Sequence, residues 1–83
     1  MKTTRYFEEQ ILRKRSYIDP EWCARVIASP VRREEQPDGR IRFWGEVTRP
    51  GENTPRILRV VTLADEETIH NAFFDRRFNK EDL

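Results

Sequence analysis

The sequence predicts a single α+β domain in which two N-terminal helices pack on a four-stranded antiparallel sheet (α-α-β-β-β-β). Apolar residues recur at helical spacing before Pro30, and after it they alternate as they do in strands. Turn sequences divide this second part into segments of strand length. The chain has 83 residues, the length of one small domain. We expect an ordered core over about residues 5–76 and a polar C-terminal tail over 77–83.

The two helices are predicted over residues 5–15 and 20–28. In the first, Phe7 and Ile11 are four positions apart and form an apolar stripe. The second has a clear start signal at Asp19, whose carboxylate can accept from the unpaired N–H groups of a first helical turn. A proline follows directly, and proline suits the first helical position.

Strands are predicted over residues 31–36, 40–48, 56–63 and 68–75. The second strand alternates most clearly, with Ile41 and Phe43 on the side that we expect to face the helices. The opposite side carries Arg40, Arg42, Trp44 and Glu46. We expect Ile41, Phe43, Val60 and Trp22 in the core.

Turn chemistry predicts how the strands align. Gln36-Pro37-Asp38-Gly39 has the residues of a tight turn, with proline at the second of the four positions and a glycine able to take positive φ. A hairpin closed there places Arg32 opposite Trp44 and Glu34 opposite Arg42. If Leu63 opposes Thr68 in the second hairpin, then Val61 opposes His70 and Arg59 opposes Ala72.

Composition excludes several classes of function. The formal net charge is +1, too small to steer the whole chain toward nucleic acid. A single cysteine excludes an internal disulfide and a cysteine-based metal cluster, and a single histidine excludes a histidine-based metal site. No glycine-rich phosphate loop is present, so we expect no cofactor and no metal. No apolar run is long enough to span a bilayer, and no apolar segment follows Met1 as in a secretory signal. We therefore expect a cytoplasmic protein without a membrane partner.

The remaining candidate for chemistry is one face of the sheet. Arginine suits phosphate, tryptophan can stack on a base, and histidine with glutamate can move protons. The predicted catalytic residues are His70, Arg59, Arg42, Glu46 and Glu34. The predicted RNA-binding residues are Arg32, Arg40, Trp44 and Arg76. The same residues also fit a structural interpretation, with Glu34–Arg42 as a cross-strand charge pair, Arg32–Trp44 as a cation–π contact and His70 as a hydrogen-bonded structural residue.

A resemblance to a known group rests on the order of several short segments. They are Leu12-Arg13-Lys14-Arg15, Ile18-Asp19-Pro20-Glu21-Trp22-Cys23, Ser29-Pro30, Asp38-Gly39-Arg40-Ile41-Arg42-Phe43-Trp44, Leu58-Arg59-Val60-Val61-Thr62-Leu63 and Ile69-His70-Asn71-Ala72-Phe73-Phe74-Asp75-Arg76. Over about residues 6–78 the chain resembles small bacterial, notably cyanobacterial, domains of unknown function. Those domains are similar to the RelE- and BrnT-like toxins of type II toxin–antitoxin systems. Many relatives have a histidine in the first helix where this chain has Phe7.

The resemblance implies a microbial-ribonuclease-like fold and metal-independent cleavage of RNA, neutralised by a small antitoxin protein. The sequence therefore leaves two hypotheses for the function. The first is a toxin-like endoribonuclease, and the second is a non-catalytic module of the same fold that binds protein or RNA on the same face. Either would act as a monomer or a homodimer.

Overall fold

A computed structural model describes residues 1–78 of the chain. The first helix, α1, is π-helical over Phe7–Ile11 and continues as an α-helix over Leu12–Lys14; α2 spans Pro20–Ala28. The strands are β1 (Arg32–Glu35), β2 (Ile41–Val47), β3 (Arg56–Thr62) and β4 (Ile69–Phe74). They form one antiparallel sheet in the order β1-β2-β3-β4. The predicted α+β class and the antiparallel sheet are confirmed.

At the start of each helix a side-chain oxygen accepts a backbone N–H. The Thr4 hydroxyl accepts the N–H of Phe7 at 3.1 Å. The Asp19 carboxylate accepts the N–H of Glu21 at 2.9 Å, with proline at the first helical position, as the sequence predicted. No helix within residues 1–78 is both long and apolar enough to cross a membrane.

The core lies between the helices and one face of the sheet. It contains Phe7, Ile11, Ile18, Cys23, Val26, Ile41, Phe43, Val47, Leu58, Val60, Ile69 and Ala72. The predicted core positions Ile41, Phe43 and Val60 are confirmed, whereas Trp22 is only partly buried at its margin. Helix α2 lies so close to β2 that a Cβ at Gly45 would meet a Val26 methyl carbon at 2.9 Å.

The register of the first hairpin is as predicted, with Arg32 opposite Trp44 and Glu34 opposite Arg42. The predicted register of the second hairpin holds as far as Thr62, which pairs with Ile69, and is wrong from Val61 onward. The Leu63 N–H does bond to the Thr68 carbonyl at 3.0 Å. A bulge then shifts the pairing, so that Val61 opposes Asn71 and Arg59 opposes Phe73.

The N-terminal residues add a short rung at the outer edge of β4. The Ile69 N–H bonds to the Lys2 carbonyl, and the Thr4 N–H bonds to the Ile69 carbonyl, both at 2.9 Å. This pairing draws Thr4 and the start of α1 toward the first residues of β4.

The predicted polar tail over 77–83 begins in a packed conformation, as does the segment that leads into it. The Asp75 N–H bonds to the Ile57 carbonyl at 2.8 Å, and the Phe78 ring stacks on Trp44 with centroids 5.8 Å apart. Residues 79–83 of the predicted tail lie outside the described residues.

Candidate functional site

The candidate site lies on the open face of the sheet, which we define as the face opposite the two helices. In β2 this face carries Arg42, Trp44 and Glu46, because Ile41, Phe43 and Val47 pack into the core. In β3 the cross-strand partners of those three residues are Val61, Arg59 and Ile57. The predicted grouping of Arg42, Trp44 and Arg59 on one face is therefore present.

A groove of about 660 Å³ occupies one end of the open face, beside the β1–β2 turn and the start of β4. It is lined by Tyr6, Gln36, Pro37, Asp38, Arg40, Arg42, Arg59, Val61, His70 and Asn71. Four residues predicted for the site, Arg40, Arg42, Arg59 and His70, thus share one concave surface.

Two neighbouring arginines give the groove its electrostatic character. Arg42 and Arg59 are diagonal cross-strand neighbours, and neither forms a salt bridge with a carboxylate in the described part of the chain. The Arg59 Nε is buried without a hydrogen-bond partner, and its guanidinium lies 4.1 Å from the centroid of Phe73. Burial, and then the positive charge of Arg42, lower the pKa of Arg59 from its usual value, and the nearby carboxylates of Asp75 and Glu34 offset this only in part. The pair therefore has unused capacity to bind an anion.

His70 is positioned by the bulge and by the N-terminal segment. Its Nδ1 lies 2.9 Å from the Thr4 hydroxyl, and its ring stacks on Tyr6 with centroids 4.8 Å apart. Burial, and then the charge of Arg40, lower the pKa of His70 below its usual value of 6.5. The imidazole is therefore held in a fixed orientation and is neutral near pH 7. Its Nε2 makes no hydrogen bond with any residue from 1 to 78.

Trp44 does not line the groove. It is 5% exposed, and the Arg32 guanidinium lies 5.4 Å from its ring centroid. Its indole N–H donates to Asp75 at 3.0 Å, and the Phe78 ring stacks against it. The cation–π contact expected between Arg32 and Trp44 is present, and in this conformation no ring face of Trp44 is open to a base.

The two glutamates predicted as proton-transfer groups also lie outside the groove. Glu34 pairs with Arg32 of its own strand at 2.6 Å, and not with Arg42 across the hairpin. Glu46 is exposed on β2, opposite Ile57. Arg76 lies near the far end of β4, in a different hollow.

Sequence reasoning missed Tyr6, Asp38 and Asn71 as parts of the groove. Asp38 was seen only as a turn residue, although its charge acts on His70. Tyr6 reaches the groove because the N-terminal residues pair with Ile69, far away in sequence. Phe7, at the position where the resemblance implies a histidine, is fully buried in the core. It therefore cannot contribute to the open face.

No three His, Cys, Asp or Glu side chains among residues 1–78 lie close enough together to hold a metal ion. No protein-family model, curated protein or solved structure matches this chain.

Proposed function

We propose that the groove binds the sugar–phosphate backbone of RNA and that the domain is a metal-independent endoribonuclease of the RelE/BrnT-like toxin kind. The observation that carries the proposal is the placement of Arg42 and Arg59, without salt bridges, beside a neutral His70. Structural arginines normally face carboxylates, because an unpaired buried donor is costly. An arginine pair that makes no salt bridge and lines a concave surface is suited to an anion that comes from outside.

The groove supplies groups for each step of backbone cleavage. Neutral His70 accepts the proton of a ribose 2′-hydroxyl, whose oxygen then forms a bond to the adjacent phosphorus. Arg42 and Arg59 stabilise the additional negative charge on the phosphorane oxygens. The bond to the 5′-oxygen breaks, and that oxygen takes a proton from the Tyr6 hydroxyl, a donor in the same groove. The products are a 2′,3′-cyclic phosphate and a 5′-hydroxyl end.

A second function, RNA binding without cleavage, is favoured by one observation. Both carboxylates expected to transfer protons, Glu34 and Glu46, lie outside the groove, so His70 and Tyr6 would act without them. The same arginines would bind phosphate in either case. The two functions therefore differ in products and not in the location of the site.

Single-stranded RNA incubated with the protein in excess EDTA separates these functions. We expect wild type to produce 2′,3′-cyclic phosphate ends, and expect His70→Gln to bind RNA equally well but cut it at least about 100-fold more slowly. Arg42→Ala should lose both binding and cleavage. Arg25→Ala removes an exposed arginine from α2, on the far side of the sheet, and should behave as wild type.

The outcomes of this assay are distinct. Binding without cleavage by the wild type assigns the non-catalytic function. A wild type that neither binds nor cuts RNA rejects both functions. Expression in bacteria extends the test, since a toxin slows growth and a folded His70→Gln variant should slow it much less.

A further inference from the structure

A second hollow of about 460 Å³ lies at the opposite end of β4 from the groove. We call it the arginine hollow, and it is lined by Arg15, Tyr17, Arg49, Arg56, Phe73, Phe74 and Arg76. Arg56 is neutralised by two hydrogen bonds of 2.9 Å to Glu52. The other three arginines form no salt bridge with any carboxylate that the structure describes. The hollow therefore has a local excess of positive charge on a chain that is nearly neutral overall.

Aromatic rings hold two of these arginines in place. The Arg49 guanidinium lies 5.5 Å from the Tyr17 centroid and 5.3 Å from the Phe74 centroid. Arg15 lies 5.6 Å from the Phe73 centroid and donates to the Asn71 side chain at 3.3 Å. Because aromatic rings, and not carboxylates, hold these guanidinium groups in position, their positive charge is not neutralised.

The arginine hollow and the groove are linked by lining residues that they share with a third hollow. A smaller hollow between them shares Arg59 with the groove, and shares Phe73, Phe74 and Arg76 with the arginine hollow. His70 and Phe73 are three positions apart along β4, which is about 10 Å at ~3.3 Å per residue. One extended chain of a few nucleotides can contact both sites.

We propose that the arginine hollow is a second RNA subsite, which binds a phosphate and a base flanking the nucleotides in the groove. This inference rests on the proposed function. Planar guanidinium groups beside aromatic rings suit both phosphate oxygens and stacked bases. An acidic peptide would be attracted by the same charge, but its binding would not require the groove or the smaller hollow between the two sites.

Two 2′-O-methyl RNA probes, which cannot be cleaved, test this assignment by fluorescence anisotropy. A dinucleotide fills only the groove, and an oligomer of about eight nucleotides is long enough to reach both sites. The test variant is Arg49→Ala/Arg76→Ala. The control is Arg13→Ala/Arg25→Ala, which removes the same charge from exposed positions on the helices. Thermal melting establishes that each variant is folded.

We expect the hollow variant to bind the oligomer roughly tenfold more weakly and to bind the dinucleotide as the wild type does. The slope of log affinity against log salt should fall by about 0.7, the value for one lost phosphate contact on a single strand. The control should change neither quantity. Equal losses in the control, or an oligomer that binds no more tightly than the dinucleotide, would overturn the second subsite.

Two further outcomes separate this inference from the proposed function. If Arg42→Ala weakens the binding of both probes while the hollow variant weakens the binding of neither, the groove remains the RNA site and the second subsite is rejected. If oligoglutamate binds the wild type more tightly than the oligomer does, and loses that affinity in the hollow variant, the hollow is a peptide site and the RNA assignment is rejected.

Discussion

Replacing Arg59 is expected to change the stability of the domain and its RNA binding in opposite directions. The Arg59 Nε is buried without a partner, its guanidinium lies over Phe73, and its charge faces that of Arg42. If the side chain is retained for binding an anion, replacing it should stabilise the folded domain and weaken RNA binding. Arg59→Met tests this, since methionine keeps an unbranched chain and favourable contacts with an aromatic ring.

The magnitude follows from three contributions. A buried donor without a partner costs about 1–3 kcal/mol, which the substitution recovers. Removing the repulsion from Arg42 is roughly offset by losing the attraction to Asp75 and Glu34, so the charges around Arg59 add little to the balance. Loss of the cation–π contact with Phe73 costs about 0.5–1 kcal/mol. The net gain is about 1 kcal/mol, which corresponds to a rise in Tm of ~4–8 °C for a domain of this size.

Urea and thermal unfolding of the wild type and Arg59→Met measure this difference directly. Arg25→Met on α2 is the matched control and should stay within about 0.5 kcal/mol of the wild type. RNA binding by Arg59→Met should fall although the domain is more stable. An Arg59→Met variant that unfolds more easily than the wild type would refute the reasoning, because Arg59 would then be a structural residue.

Three other predictions follow from the packing and from the histidine. Gly45→Ala should destabilise the domain by about 1–3 kcal/mol through the clash with Val26, and Val26→Ala should relieve part of that cost in a double-mutant cycle; independent, additive effects would contradict the close packing. Phe43→Ala should cost about 3–5 kcal/mol in urea unfolding, and a nearly unchanged midpoint would exclude Phe43 from the core. Because the folded state lowers the pKa of His70, the unfolded chain binds more protons near pH 6, so stability should rise with pH through that region. His70→Gln should remove this increment, and a pH profile identical to that of the wild type would show that His70 does not cause it.

Local sequence patterns predicted the helices, the strands and the first hairpin. Asp19 caps α2 as its position predicted, and the short turn at Gly39 leaves β1 and β2 only one register that keeps Ile41 and Phe43 in the core. These features depend on residues that are near one another in the chain. The predicted bounds of each element agree with the structure to within two residues.

The site was predicted less completely because it depends on contacts between distant parts of the chain. The contact between Thr4 and His70 joins residues 66 positions apart, and the bulge that it accompanies has no local signal. Alternation placed Trp44 on the correct face, but it gave no indication that Asp75 and Phe78 cover the ring. Contacts between distant segments therefore decide which residues of the open face line the groove and which, like Trp44, are covered.

NMR observation of the side-chain nitrogens in the groove tests the central claim most directly. A 2′-O-methyl dinucleotide titrated into ¹⁵N-labelled protein should shift the Nε–H signals of Arg42 and Arg59 and the ring nitrogens of His70. The signals of Arg13 and Arg25 on the helices should stay unchanged. If the groove signals do not move at dinucleotide concentrations that saturate binding, or if the helix arginines shift instead, the groove is not the RNA site.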